Sequence, residues 1–275
     1  MRKRYIVLTL YIIFLMLPIY WLLNMSLKTT NEILGGFSAF PREFTLDSYR
    51  TIFTDPSWYN AYINSITYVV INTIISVVIA LPAAYAFSRL RFRGRRAGLL
   101  SLIVVQMFPS LLGLVAIYGM LIEIGRTFPA FGLDTQLGLI MIYMGGSLGT
   151  GTYLMYGFFN TVPKEIDEAA KIDGATHTQI YFQIILRLVS PILAVQMLLS
   201  FIGISSDFIL ASIVMNKPDQ YTLAVGLGLF IDQPYSKNWA MFCAGAVIAA
   251  TPIVALFMGL QRYIVSGLTG GAVKG

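Results

Sequence analysis

Thr161-Val-Pro-Lys-Glu-Ile-Asp-Glu-Ala-Ala-Lys-Ile-Asp-Gly-Ala-Thr-His-Thr-Gln-Ile-Tyr181 is a charged stretch set between two apolar ones, and its local chemistry is specific. Pro163 suits the first turn of a helix, where its missing N–H costs nothing. Glu165, Asp167 and Glu168 near that end favour the positive pole of the helix dipole. Gly174 can take the left-handed conformation that stops a helix. Thr176 and Gln179 then have the T-x-x-Q spacing of a capping box, which opens a second helix. The expectation is a helix–Gly–helix elbow whose first helix runs about three turns. That helix has no long apolar stripe for a core of its own. Ala169 and Ala170 permit close approach, and Glu168 is available to a cationic partner.

Outside the elbow the chain is mostly apolar. Of its 275 residues, 57% are hydrophobic and 12% charged. Soluble domains carry about 25% charged residues, so this chain has too few polar groups to cover a wet surface. Six stretches are expected to cross a bilayer as helices: Tyr5–Leu27, Tyr62–Ser88, Ala97–Ile122, Gln136–Asn160, Leu188–Met215 and Trp239–Val265. Each is near the ~20 residues that span a hydrocarbon core. Gly145, Gly146 and Gly149 interrupt the fourth. Linear segmentation reads residues 1–61 as a first span with an extracytoplasmic segment. Residues 62–265 form the five-span core with the elbow loop at 161–187, and 266–275 form a cytoplasmic tail.

Orientation follows from Lys and Arg between the spans. Three precede Tyr5, five lie in Arg89-Leu-Arg-Phe-Arg-Gly-Arg-Arg96, three in 161–187, and the C-terminal end adds Arg262 and Lys274. Lys28, Arg42, Arg50, Arg126, Lys217 and Lys237 fall on the other side. The bias places both termini in the cytoplasm. Arg2-Lys3-Arg4 and the apolar run after it exceed the ~7–15-residue core of a signal peptide, and no A-x-A follows. An uncleaved first span is expected. Outward loops hold Pro41, Pro56, Pro129, Pro218 and Pro234 with Trp58, and Lys28–Ala61 has room for short surface helices.

Catalytic chemistry finds little footing. Cys243 is the one cysteine and His177 the one histidine, so neither a Cys/His metal cluster nor a Ser–His or H-E-x-x-H arrangement can be assembled. No G-x-x-x-x-G-K-[ST] phosphate loop is present, so any ATP chemistry belongs to another chain. The charge excess of +6 sits beside apolar segments, as topology signals do, and does not suggest nucleic acid. Asp207 lies in the fifth span after Ser205 and Ser206. A carboxylate there costs ~2.5–3.5 kcal/mol unless it faces a cavity or a partner. It therefore reads either, with Ser205 and Ser206, as part of a solute path, or as a group near the outer interface or bonded to a neighbouring helix. Asn64, Asn72, Gln106 and Gln196 are expected to bond across helices.

Glu168-Ala-Ala170, followed by Gly174 and Ile184-x-Leu186, resembles the EAA loop of permease subunits of binding-protein-dependent ABC importers. Ala84-Tyr-Ala-Phe-Ser-Arg-Leu-Arg-Phe-Arg-Gly-Arg95, Met107-Phe-Pro-Ser-Leu111, Tyr221-Thr-Leu-Ala-Val-Gly226 and Gly267-Leu-Thr-Gly-Gly-Ala-Val-Lys-Gly275 are similar to the maltose/maltodextrin-type inner-membrane permeases of carbohydrate importers. The resemblance covers nearly the whole chain, most specifically from Tyr62 onward. One departure stands out: Arg187 replaces the proline that usually follows I-x-L, with Pro191 four residues later. That leaves open a kink where the fifth span begins.

The resemblance implies an all-α integral membrane protein of the type I ABC importer permease fold. It implies six spans and both termini in the cytoplasm of a bacterial inner-membrane protein. Glu168, Ala169, Ala170, Asp173, Gly174, Ile184 and Leu186 would couple it to an ATPase dimer. A homologous second permease would complete the pathway, and an extracytoplasmic sugar-binding protein would deliver the solute. ATP and Mg would sit on the ATPase subunits, with no cofactor and no catalytic site in this chain. Maltose, maltodextrin or a related oligosaccharide is the implied substrate, with other sugars such as trehalose or glycerol phosphate as alternatives. An ion-coupled secondary transporter is a rival, although no chain of intramembrane Asp, Glu or His supports one.

Overall fold

The computed structural model describes residues 2–232 and 238–272. No strand occurs among the described residues. Helix is what a chain with a lipid solvent needs, because each backbone N–H then bonds within its own segment. The helices are α1 (Arg2–Ser26), α2 (Thr30–Leu34), α3 (Asp47–Thr54), α4 (Pro56–Arg89), α5 (Arg95–Gln106), α6 (Ser110–Thr127), α7 (Gln136–Phe159) and α8 (Lys164–Ile172). They continue with α9 (His177–Leu188), α10 (Ser190–Ser205), α11 (Ile209–Val214), α12 (Leu223–Asp232) and α13 (Trp239–Ala272).

Among the described residues three stretches are long and apolar enough to cross a membrane: Tyr5–Ser26, Pro56–Arg89 and Trp239–Ile264. Two bent pairs raise the number to five if each pair is one span. The expected six are therefore not all single helices. The stretch Ala97–Ile122 is divided, with α5 and α6 meeting at 100° around Met107–Pro109. Pro109 has no N–H to offer Val105 O, so the chain turns there and Phe108 N takes that oxygen at 3.3 Å. The fifth stretch is interrupted at Ser206–Phe208, between α10 and α11. The fourth, α7, is an unbroken helix of 24 residues, diluted by Gly145, Gly146, Gly149 and Gly151.

The start of the fifth stretch answers the question raised by Arg187. α9 and α10 meet at 75°. Pro191 cannot donate to Arg187 O, and Ser190 Oγ donates to that oxygen instead at 2.9 Å. The bend is present without a proline at position 187, because Pro191 suffices.

The expected tail at 266–275 is helical through Ala272 as a continuation of α13. Glycine costs about 1 kcal/mol in a helix interior, too little to end one already propagating. Lys274 and the last three residues, like Pro234 and Lys237, lie outside the described residues.

The chain forms two compact units, Met1–Ser65 with Lys217–Pro252 and Ile66–Asn216 with Ile253–Gly275. The first is built around Ile52, Met241, Ala244 and Ile248. Beside them Trp58 stacks on Phe230, with centroids 4.1 Å apart. The same indole covers Gly226, where an added Cβ would lie 2.9 Å from the ring. Asn64 Nδ2 donates to Asp219 O (2.9 Å) and Tyr221 O (3.2 Å), while Leu223 N donates to Ser65 Oγ (2.6 Å). These bonds hold the Tyr221–Gly226 segment against the first turns of α4.

In the second unit Thr150 Oγ1 donates to Gln106 Oε1 at 3.0 Å, across α5 and α7. Asn72 bonds instead to Tyr68 O and Gln196 to Ser200 Oγ, each four residues away on its own helix. Residues one helical turn apart lie on the same face, so both bonds are local, and Asn72 Oδ1 is left buried without a hydrogen-bond partner among the described residues.

Candidate coupling site

The elbow forms as its local signals require. α8 begins at Lys164 with Pro163 just outside it, one position earlier than the first turn. Gly174 has φ +82°. Its N–H donates to Lys171 O at 3.0 Å, and Ala175 N donates to Ala170 O at 2.9 Å. That pair of bonds is a Schellman stop, available because glycine carries no Cβ to resist positive φ. Thr176 and Gln179 close the capping box, with Gln179 N on Thr176 Oγ1 (3.3 Å) and Thr176 N on Gln179 Oε1 (2.8 Å). α9 follows and contains a π segment over Ile180–Ile185.

Side-chain burial divides the elbow into two faces. Ala170, Ile180, Ile185 and Val189 are buried against Leu81, Ala84 and Tyr85 of α4 and Met155 and Phe159 of α7. Ile184 and Leu186 are half-buried against the same cluster. Tyr85 makes edge contacts with Phe159 and Tyr181. Glu168, Ala169, Asp173 and Gly174 face out, as does Ile172, which is 87% exposed.

Ala170 therefore does not join Ala169 on an approachable face, as expected, but packs inward. At about 100° per residue Ala170 falls on the side of the helix opposite Glu165 and Ile172, next to the buried Asp167, while Ala169 stays on the exposed side. Ile172 was absent from the expected coupling residues. The i, i+3, i+4, i+7 spacing of Glu165, Glu168, Ala169 and Ile172 carries the signal for it.

A second feature lay outside the sequence reading. Arg89, counted there only as a topology cation, ends α4 and turns into the elbow. Its Nε lies 2.5 Å from Asp167 Oδ2, and another guanidinium nitrogen donates to Val162 O at 2.7 Å. Ser88 Oγ donates to Asn160 Oδ1 at 2.8 Å beside it. Both members of the ion pair are buried. Asp167 Oδ1 has no hydrogen-bond partner among the described residues. An unpaired charge there would be costly, so the pair ties α8 to the end of α4.

The three residues considered for a solute path are placed differently. Ser205 Oγ donates back to Phe201 O at 2.7 Å, and Ser206 is exposed at the end of α10. Asp207 Oδ2 accepts from Tyr143 Oη of α7 at 2.7 Å, and its Oδ1 accepts from Leu210 N at 3.4 Å. Of the two readings, the geometry favours a carboxylate bonded to a neighbouring helix.

Residues 61–270 match the family described as binding-protein-dependent transport system inner membrane component. The chain belongs to this family. It is 41% identical over 245 residues to the maltodextrin transport system permease protein MdxG of Bacillus subtilis (strain 168), covering 88% of this chain and 86% of that one. It is 34% identical over 274 residues to the galactooligosaccharides transport system permease protein GanQ of the same organism, covering 98% and 94%. Among solved structures, a bacterial ABC transporter involved in import of the acidic polysaccharide alginate matches with a TM-score of 0.79 at 22% identity, covering 95% of each chain. That likeness establishes the permease fold. As a permease of this family the chain is a multi-pass membrane protein, and the matched range includes α5 to α12, the elbow and both members of the Arg89–Asp167 pair.

Proposed function

We infer that this permease is the membrane-spanning subunit of an ATP-driven importer of maltodextrin-type oligosaccharides, coupled to its ATPase through α8. The observation that carries the coupling is the two-faced elbow. Glu168, Ala169 and Ile172 are presented outward while Asp167 and Ala170 are held inside. A short helix with one anchored face can move as a rigid body with whatever binds its other face. An ATPase dimer that closes on ATP would move α8, and the Arg89–Asp167 pair would carry the displacement into α4. ATP does this work only by binding the closed dimer better than the open one. Six spans with both termini in the cytoplasm, a homologous second permease and an extracytoplasmic binding protein complete the reading. ATP and Mg belong to the ATPase.

The substrate reading rests on the maltodextrin relative, at 41% identity over most of both chains. The galactooligosaccharide relative, matched nearly end to end, favours a galactooligosaccharide as the second reading. Competition separates them. Uptake of radiolabelled maltotriose by cells expressing the full transporter is expected to be suppressed by excess maltodextrin and untouched by galactooligosaccharide. The opposite pattern would replace the first reading with the second.

A further inference from the structure

The segment after α1 folds back along that helix instead of leaving it. α1 ends at Ser26, yet Phe37 stacks on Trp21 at 5.2 Å and Phe40 meets Tyr20 edge-on at 6.2 Å. Tyr20 lies six residues before the helix end, which is ~9 Å at 1.5 Å per residue. Gly36, at φ +120°, permits the reversal.

Two carbonyls and two backbone N–H groups of this loop, with the Ser38 hydroxyl, are bonded to α1, Lys28 and Glu32. Ser38 O accepts from Lys28 Nζ (2.6 Å) and Asn24 Nδ2 (3.3 Å). Ala39 O accepts from Asn24 Nδ2 (3.1 Å) and from the Tyr20 hydroxyl. The Glu32 carboxylate takes Ser38 Oγ (2.8 Å), Arg42 N (2.9 Å) and Glu43 N (3.2 Å). The rings lie along α1 with their outer faces open, Phe37 78% and Phe40 73% exposed. They continue the apolar exposed surface of α1, where Phe14 is 69% and Leu17 55% exposed.

We propose that the loop from Gly35 to Glu43 is a membrane-dipping anchor that inserts Phe37 and Phe40 into the acyl-chain border of the leaflet where α1 ends. Irregular backbone survives in lipid only when its polar groups are satisfied internally, and here α1, Lys28 and Glu32 take up Ser38 O, Ala39 O, Arg42 N and Glu43 N. Aromatic side chains favour that depth. Lys28 and Glu32 sit past the helix end, where the headgroups begin, and pin the loop from above. The inference rests on the chain spanning a membrane, whatever sugar it carries.

The test places a nitroxide at Phe37→Cys and Phe40→Cys in a Cys243→Ser background. The full complex, with its co-expressed subunits, is reconstituted in phosphatidylethanolamine–phosphatidylglycerol vesicles. The ratio of oxygen to nickel-chelate collisions is expected to match that at Phe14→Cys and to exceed that at Arg50→Cys. A ratio like that at Arg50→Cys means the loop is in water and overturns the anchor. Exclusion of both reagents means another subunit covers the loop, and overturns it equally. Unmodified complex gives the second measurement, using a phospholipid with a diazirine on its acyl chain. Photolabel on the Gly35–Glu43 peptide is expected; label on α1 with none on that peptide overturns the proposal.

Discussion

Arg89 Nε and Asp167 Oδ2 stand 2.5 Å apart with side chains only 4% and 9% exposed, joining the last residue of α4 to the first turns of α8. A buried ion pair is weak evidence for net stability, because desolvation offsets most of the attraction. Its consequence is positional. α8 cannot shift without either moving α4 or exposing a bare charge.

Asp167→Asn leaves the guanidinium buried opposite a neutral amide, a loss that costs ~3–5 kcal/mol in buried pairs. The expected phenotype is uncoupling: ATP hydrolysis by the assembled complex persists while sugar uptake per ATP falls. Asp167→Glu keeps the charge and should fall between the two. An unchanged uptake-to-hydrolysis ratio in Asp167→Asn, at normal abundance, would remove the pair from the coupling path.

Glu168→Lys reverses the charge on the outward face without touching a spanning segment. Loss of a buried charge contact at an interface costs ~2–5 kcal/mol, so ATPase recovery in pull-downs should drop tens-fold or more. Ile172→Asp should weaken recovery as well, by placing a carboxylate in an apolar contact. An acidic substitution on the ATPase should rescue Glu168→Lys and not Ile172→Asp. Normal transport by both variants would show α8 to be an ordinary solvated helix.

Gly174→Val attacks the stop between α8 and α9. Position 174 has φ +82°, and left-handed backbone costs a residue with a Cβ roughly 1–2 kcal/mol. A β-branched side chain fits it worse still. Membrane insertion is expected to persist while uptake is lost, since α9 would leave Gly174 in a new direction. Wild-type uptake would mean that the direction of α9 does not matter to coupling.

Acid should loosen the Glu32 clasp. The Arg42 backbone N–H, with help from Ser38, Glu43 and Lys28, holds the Glu32 carboxyl below its ordinary value of 4.5. Because the folded pKa is the lower one, its contribution is complete above the ordinary value and disappears as pH falls through the depressed one. Spin-label mobility at Phe40→Cys should therefore rise in that acid window and stay flat above it. Glu32→Gln should abolish the step; a step that survives the substitution would assign it to another group.

Orientation has its own measurement. In a Cys243→Ser background, Gly94→Cys and Thr178→Cys should be shielded from an impermeant thiol reagent in intact cells, while Lys217→Cys should react. Labelling of Gly94→Cys from outside would invert the topology.

Hydropathy and capping were legible along the chain because both are local. A run of apolar residues reports its solvent by its own composition, and the caps at Gly174 and Thr176–Gln179 close through atoms three to five residues apart. The bend at Pro191 is local too, once Ser190 is seen to take the Arg187 carbonyl. Ala170 packs inward because its side of α8 meets α4 and α7, a contact between distant segments that the local pattern does not contain.

By itself the sequence determined that this protein is a helical membrane protein with a capped elbow, since contiguous composition and short-range hydrogen bonds set those features. Only the tertiary structure decided that Arg89 holds Asp167, that Tyr143 claims Asp207, and that Phe37 lies back on Trp21. Each of those pairs joins separate segments of the chain. Their approach depends on how whole helices and loops pack, which no local pattern encodes.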